Sequence, residues 1–86
     1  MSYDYKTERP AIFTESGQVM FLKIRDNVFA LLREAGAVRM YEAVRGVTGG
    51  SSTMHACMDR MVELGEIREI TTDPRTTGQY RVFVKS

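Results

Sequence analysis

The side chains with most chemistry to offer fall in two stretches. The first runs Ser51-Ser52-Thr53-Met54-His55-Ala56-Cys57-Met58-Asp59-Arg60-Met61-Val62-Glu63-Leu64. Met54, Cys57, Met58, Met61 and Leu64 recur at three- and four-residue steps, which predicts a helix over about 52–64 with one apolar face. Ser52, His55, Ala56, Asp59 and Glu63 fall opposite, with Thr53 and Arg60 on the flank. Hydroxyls at the start of a helix cap its free amides, and they can also bond a phosphate or a base edge there. His55 reads either as a donor to a guanine acceptor or a phosphate, or as a plain surface residue. Asp59 and Glu63 repel phosphate, so against a duplex they must point away or accept from cytosine amino groups. The second stretch holds Arg75, Thr76, Thr77, Gln79 and Arg81 around a turn, in a segment (73–86) that sums to +2. Arginines at such a tip suit phosphates or a minor groove, and solvated turn charge is the plainer use.

Other chemistry finds little support. His55 is the single histidine and Cys57 the single cysteine, so neither a metal cluster nor an internal disulfide can be assembled from them. Paired carboxylates, a phosphate-cradling glycine loop and a nucleophile with an evident base are all missing from the pattern, and the expectation is a protein that is not an enzyme, with no cofactor, no metal and no small-molecule ligand. The methionine stripe reads as core filling, and Cys57 beside it as a small buried apolar residue. Lys and Arg total 12 against 11 Asp and Glu, so bulk charge alone does not grip nucleic acid. No apolar run nears the ~18 residues of a membrane span, and the polar start MSYDYKTERP is unlike a signal peptide. These features point to a reduced, cytoplasmic domain with no membrane partner.

The elements that position these groups follow from punctuation and period. Eighty-six residues make one small domain. Residues 1–15 lack a sustained period and read as an N-terminal arm or packed extension; 16–86 form the domain proper. A first helix follows Thr14 or Ser16 and buries Phe21, Ile24, Val28, Leu31, Leu32 and Ala35, with Gly36 as its left-handed cap. Val19, Leu22 and Phe29 fall on another side of that helix. Either the arm, through Ile12 and Phe13, folds over this strip, or the strip is a dimer interface. Ala37-Val38-Arg39 is a strand-like connector. Met40–Val47 is a short second helix with Tyr41, Val44 and Val47 on one face, and Gly49-Gly50 permits a sharp turn before the third. Ile67–Thr71 and Tyr80–Lys85 predict a β-hairpin, with Tyr80, Val82 and Val84 alternating against Arg81, Phe83 and Lys85. The unlike parity of Ile67 and Ile70 predicts a bulge or an early strand end near Glu69.

The stretch YEAVRGVTGGSSTMHACMDRMVELGEI, from Tyr41 to Ile67, resembles the winged helix-turn-helix superfamily of DNA-binding proteins. Small hydroxyl residues open the third helix at Ser52-Thr53, an apolar residue follows at Met54, and the helix leaves through Leu64-Gly65-Glu66-Ile67. The resemblance covers about residues 17–84. One departure is Gly49-Gly50, where members usually place an apolar anchor after the turn glycine; Val47 offers that anchor from the other side.

The resemblance implies an α+β fold: a winged helix-turn-helix with a three-helix core and a C-terminal β-hairpin wing. It implies double-stranded DNA as partner, with the third helix entering a major groove ~12 Å wide. Ser51, Ser52, Thr53, His55, Ala56, Arg60, Arg75, Thr76, Thr77, Gln79 and Arg81 are then the candidate contacts, and Val19, Leu22 and Phe29 the candidate homodimer interface. The function expected is that of a sequence-specific transcription regulator acting by operator occupancy. The alternative, favoured by near-neutral charge and the acidic third helix, is a winged-helix module that binds protein and not DNA.

Overall fold

The computed structural model describes residues 3–71 and 78–86. They form an α+β arrangement of four helices and a small antiparallel sheet: α1 (Tyr5–Glu8), α2 (Glu15–Ala35), β1 (Ala37–Arg39), α3 (Met40–Ala43), α4 (Ser51–Glu63), β2 (Ile67–Glu69) and β3 (Val82–Lys85). A 3-10 turn over Arg9–Phe13 joins α1 to α2, and another over Gly78–Tyr80 precedes β3. Among the described residues, no helix is long and apolar enough to cross a membrane.

α2 begins and ends as the sequence predicts. Thr14 is the N-cap, its Oγ1 accepting from the Gly17 amide at 3.1 Å, and Gly36 closes the helix with φ 77°. Phe21, Ile24 and Val28 are buried, Leu31 and Leu32 half-buried, and Ala35 exposed. Gly17 is buried for a steric reason. A Cβ there would overlap the Ala11 carbonyl oxygen and lie 2.8 Å from the Ile12 backbone. Only glycine therefore lets the 3-10 turn lie against the first turn of α2.

The segment before α2 is part of the core. Ile12 has no exposed surface, and it joins Ile24, Val28, Met58, Met61, Ile67 and Phe83 in one buried cluster. The 3-10 turn packs on both α2 and α4, while α1 packs on α4. The strip on α2 thus stays uncovered by the arm: Val19 is 66% and Leu22 56% exposed.

The connector Ala37–Arg39 is a true strand. It pairs antiparallel with β3, Val38 opposite Phe83, and β2 takes the other side of β3 in the order β1-β3-β2. β2 ends at Glu69, the early end anticipated from the parity of Ile67 and Ile70. The Phe83 side of β3 is the buried one: Phe83 has no exposed surface, whereas Val82 and Val84 are half-buried and Tyr80 is exposed. A single large aromatic aimed at the helices outweighs two smaller β-branched residues on the outer face.

The second helix is shorter than Met40–Val47. It ends at Ala43, burying Met40 and Ala43 and leaving Tyr41 exposed. Asn27 of α2 explains the early end, because its Nδ2 donates to the carbonyls of Ala43 (2.9 Å) and Arg45 (3.1 Å). Those carbonyls are drawn out of the helical ladder, and Gly46 reverses the chain with φ 76°.

Candidate nucleic-acid interface

α4 was expected to bury its sulfur face and expose the opposite one. The first half holds for Cys57, Met58 and Met61, which have no exposed surface, whereas Met54 is half-buried and Leu64, just past the helix end, is exposed. Burial of Cys57 in this apolar setting pushes its thiol up to about 11. The opposite face is only partly open, since Ala56 also has no exposed surface and His55 is half-buried. The N-terminal arm covers this side, and its donors are matched to the helix carboxylates. Tyr3 Oη donates to Asp59 Oδ2 at 2.6 Å. Tyr5 Oη donates to Glu63 at 2.9 Å, and Arg9 Nε donates to the same carboxylate at 3.1 Å.

Arg60, a candidate DNA contact, turns back along its own helix. Its guanidinium donates to Glu63 at 2.7 Å and lies 5.2 Å from the Phe13 ring centre. The bonds from Arg60, Tyr5 and Arg9 together lower the Glu63 carboxyl below its ordinary range.

Arg81 is the larger correction. Its side chain is 13% exposed, and its Nη2 donates to Asp59 (2.7 Å) and Glu69 (2.8 Å) while Nε donates to Glu69 at 3.0 Å. The guanidinium also lies 5.0 Å from the Phe83 ring centre. Burial works against its charge, and the bonds to Glu69 and Asp59 outweigh that, so the charged form is held more firmly than usual. Arg81 Nη1 stands 3.0 Å from His55 Nδ1. An arginine only donates, so Nδ1 accepts and a neutral His55 carries its proton on Nε2. Burial, and then the Arg81 charge, hold the His55 pKa below its usual value. Tyr3 completes the group, its ring 5.4 Å from that of His55. Burial and the Asp59 bond raise the Tyr3 phenol well above its ordinary range. In this network the donors of Tyr3 and Arg81 are matched to Asp59, Glu69 and His55. Among the described residues, no three of His, Cys, Asp and Glu converge as a metal site.

The first turn of α4 remains open. Gly50 is the N-cap and makes no side-chain capping bond, so Ser51, Ser52 and Thr53 lie inside the helix and do not cap it. Ser51 is exposed and the next two residues are half-buried. Ser51 and Ser52 border a cleft of about 780 Å³ between α3, the start of α4 and the 3-10 turn before β3. Met40, Val44 and Met54 form its apolar side, and Gln79, itself exposed, lies on its rim. Tyr41 and Tyr80 meet edge to face nearby, ring centres 6.5 Å apart and both exposed. Arg75, Thr76 and Thr77 lie outside the described residues.

Of the candidate contacts, the structure thus brings Ser51, Ser52, His55, Gln79 and Arg81 to the walls of one cleft, with Thr53 in the same first turn of α4. It buries Ala56 and ties Arg60, Arg81 and His55 into internal contacts. Sequence reasoning missed Tyr3, Tyr5, Arg9 and Glu69 as partners of those groups. Asp59 and Glu63, one helical turn apart, were a signal that donors must come from elsewhere. No family model, curated protein or solved structure matches the chain.

Proposed function

We propose that the chain is a winged-helix DNA-binding protein that reaches double-stranded DNA through the first turn of α4 and the β2–β3 hairpin. The observation that carries this reading is the disposal of the two α4 carboxylates. Asp59 is bonded to Arg81 and Tyr3, and Glu63 to Arg60, Tyr5 and Arg9. The negative charge that argued against a phosphate surface is thereby paired within the chain, Asp59 largely covered and Glu63 at the surface. What is left open on α4 is the amide-rich, hydroxyl-bearing end, which suits an anion. The element order also supports the reading: a strand between α2 and α3 pairs with the last strand, and α4 precedes a hairpin, as a winged helix requires.

The contact set on this reading is Ser51, Ser52, Thr53, Gln79 and, by its sequence, the segment Arg75-Thr76-Thr77. Its mechanism on this reading is operator occupancy, the bound chain excluding other proteins from the site. Selection of bound duplexes from a random pool tests it. An enriched motif, lost in Ser52→Ala, is expected; no enrichment, with heparin retention no stronger than that of a neutral protein, refutes it. The second reading, a protein-binding module, draws on the arm's cover over the middle of α4, which leaves less helix free for a groove than a regulator ordinarily presents. Failure of the selection transfers the function to that class.

A further inference from the structure

One strip of α2 is open along most of its length, with Phe29 alone packed partly against the core. Glu15, Val19, Leu22, Asp26, Phe29 and Arg33 recur at alternating four- and three-residue steps along the 21-residue helix, the spacing that keeps a single seam toward a partner helix. Val19 and Leu22 are exposed, as are Glu15, Asp26 and Arg33, and Phe29 is half-buried. The Arg25 guanidinium, held by Glu66, lies 4.6 Å from the Phe29 ring centre at the edge of the strip. The charges are ordered along the seam, acidic at its start and basic at its end, and none of Glu15, Lys23, Asp26 and Arg33 forms an ion pair with a described residue.

We propose that this strip is the seam of a homodimer in which α2 packs antiparallel on α2 of a second copy, about a two-fold axis level with residue 24. That register sets Glu15 against Arg33 of the second copy at both ends. Val19 then meets Phe29, Leu22 meets the stem of Asp26, and Lys23 lies beside Asp26 of the other helix. A parallel pairing would instead oppose Glu15 to Glu15, Asp26 to Asp26 and Arg33 to Arg33. The charge order therefore selects the antiparallel partner, and the self-complementary patch is what a two-fold contact demands. The apolar pairs supply attraction and the ion pairs mainly choose the orientation. This seam lies apart from the first turn of α4, so it stands or falls independently of the DNA reading.

Sedimentation equilibrium of the full chain tests it, with folding of each variant checked by circular dichroism. The parent is expected to shift with concentration toward twice the 9.8 kDa chain mass. Glu15→Arg and Arg33→Glu each place like charges at both ends and should weaken self-association about ten- to a hundredfold. Mixed in equal amounts, the two variants restore opposite charges at both ends and should associate as the parent does. If an end variant fails to fold, Lys23→Glu mixed with Asp26→Lys asks the same question at the centre. A parent that stays at one chain mass throughout, or variants that do not recover on mixing, would overturn the proposal.

Discussion

Replacing Arg81 by methionine separates a structural arginine from a DNA-contacting one. The substitution keeps most of the side-chain volume, leaves Asp59 and Glu69 without their shared cation, and removes the donor to His55. Breaking a fully buried ion pair costs about 3–5 kcal/mol, and an exposed pair is worth about 0–1 kcal/mol. With side-chain exposures of 13% for Arg81, 19% for Asp59 and 30% for Glu69, solvent screening puts the pair near the middle, about 2 kcal/mol. Loss of the guanidinium over Phe83 adds about 0.5–1 kcal/mol. For a domain of this size each kcal/mol shifts Tm by roughly 4–8 °C, so Arg81→Met should melt about 10–20 °C below the parent. Calorimetry or circular dichroism measures the shift. Arg60→Ala, whose partner Glu63 is already satisfied by Tyr5 and Arg9, should change Tm little. A variant that melts within about 3 °C of the parent, yet loses its retention on duplex DNA, would refute the internal role assigned to Arg81.

Three further outcomes follow from the same contacts. Gly17→Ala should destabilise by about 1–3 kcal/mol despite alanine's better helix propensity, because the new Cβ meets backbone that cannot swing aside; an unchanged or raised Tm would show that the 3-10 turn is not seated there. His55 has a lowered folded pKa, so its stabilisation is complete above its unfolded value near 6.5 and is lost as the pH falls through the folded pKa. Tm should therefore decline between pH 7.5 and 5, and the part of that decline missing in His55→Gln is its share; identical profiles would contradict the assignment. Cys57, raised to about 11 by burial, should react with a thiol reagent at pH 8 only as fast as the protein opens, and rapid labelling of the native protein would place it at the surface.

Much of the scaffold was legible because local rules agreed with tertiary demands. Thr14 and Gly36 bound α2 where capping chemistry places them, and the methionine face of α4 is buried as its spacing requires. The departures share one cause, a long-range contact that local pattern does not encode. Asn27 truncates α3 by binding the carbonyls of Ala43 and Arg45, sixteen and eighteen residues away. Ile12 and Gly17 turn an apparently aperiodic arm into core, so Ala56 is sealed on a side that helical arithmetic left open. Arg81 read as a wing cation because it falls with Arg75, Thr76, Thr77 and Gln79 around a predicted turn. Its acid partners lie twelve and twenty-two residues earlier, on β2 and α4. On β3 the period of two separates the faces but does not say which is buried, because both carry apolar residues.

The account's central claim is that DNA meets the open end of α4 and the hairpin while the arm stays seated on the rest of that helix. Amide chemical-shift mapping during titration with a selected duplex tests it most directly. Shifts should concentrate at Ser51, Ser52, Thr53 and Gln79, with Tyr3, Tyr5, Asp59 and Glu63 unchanged. Shifts centred on the arm and on Asp59 and Glu63, or none anywhere, would contradict it.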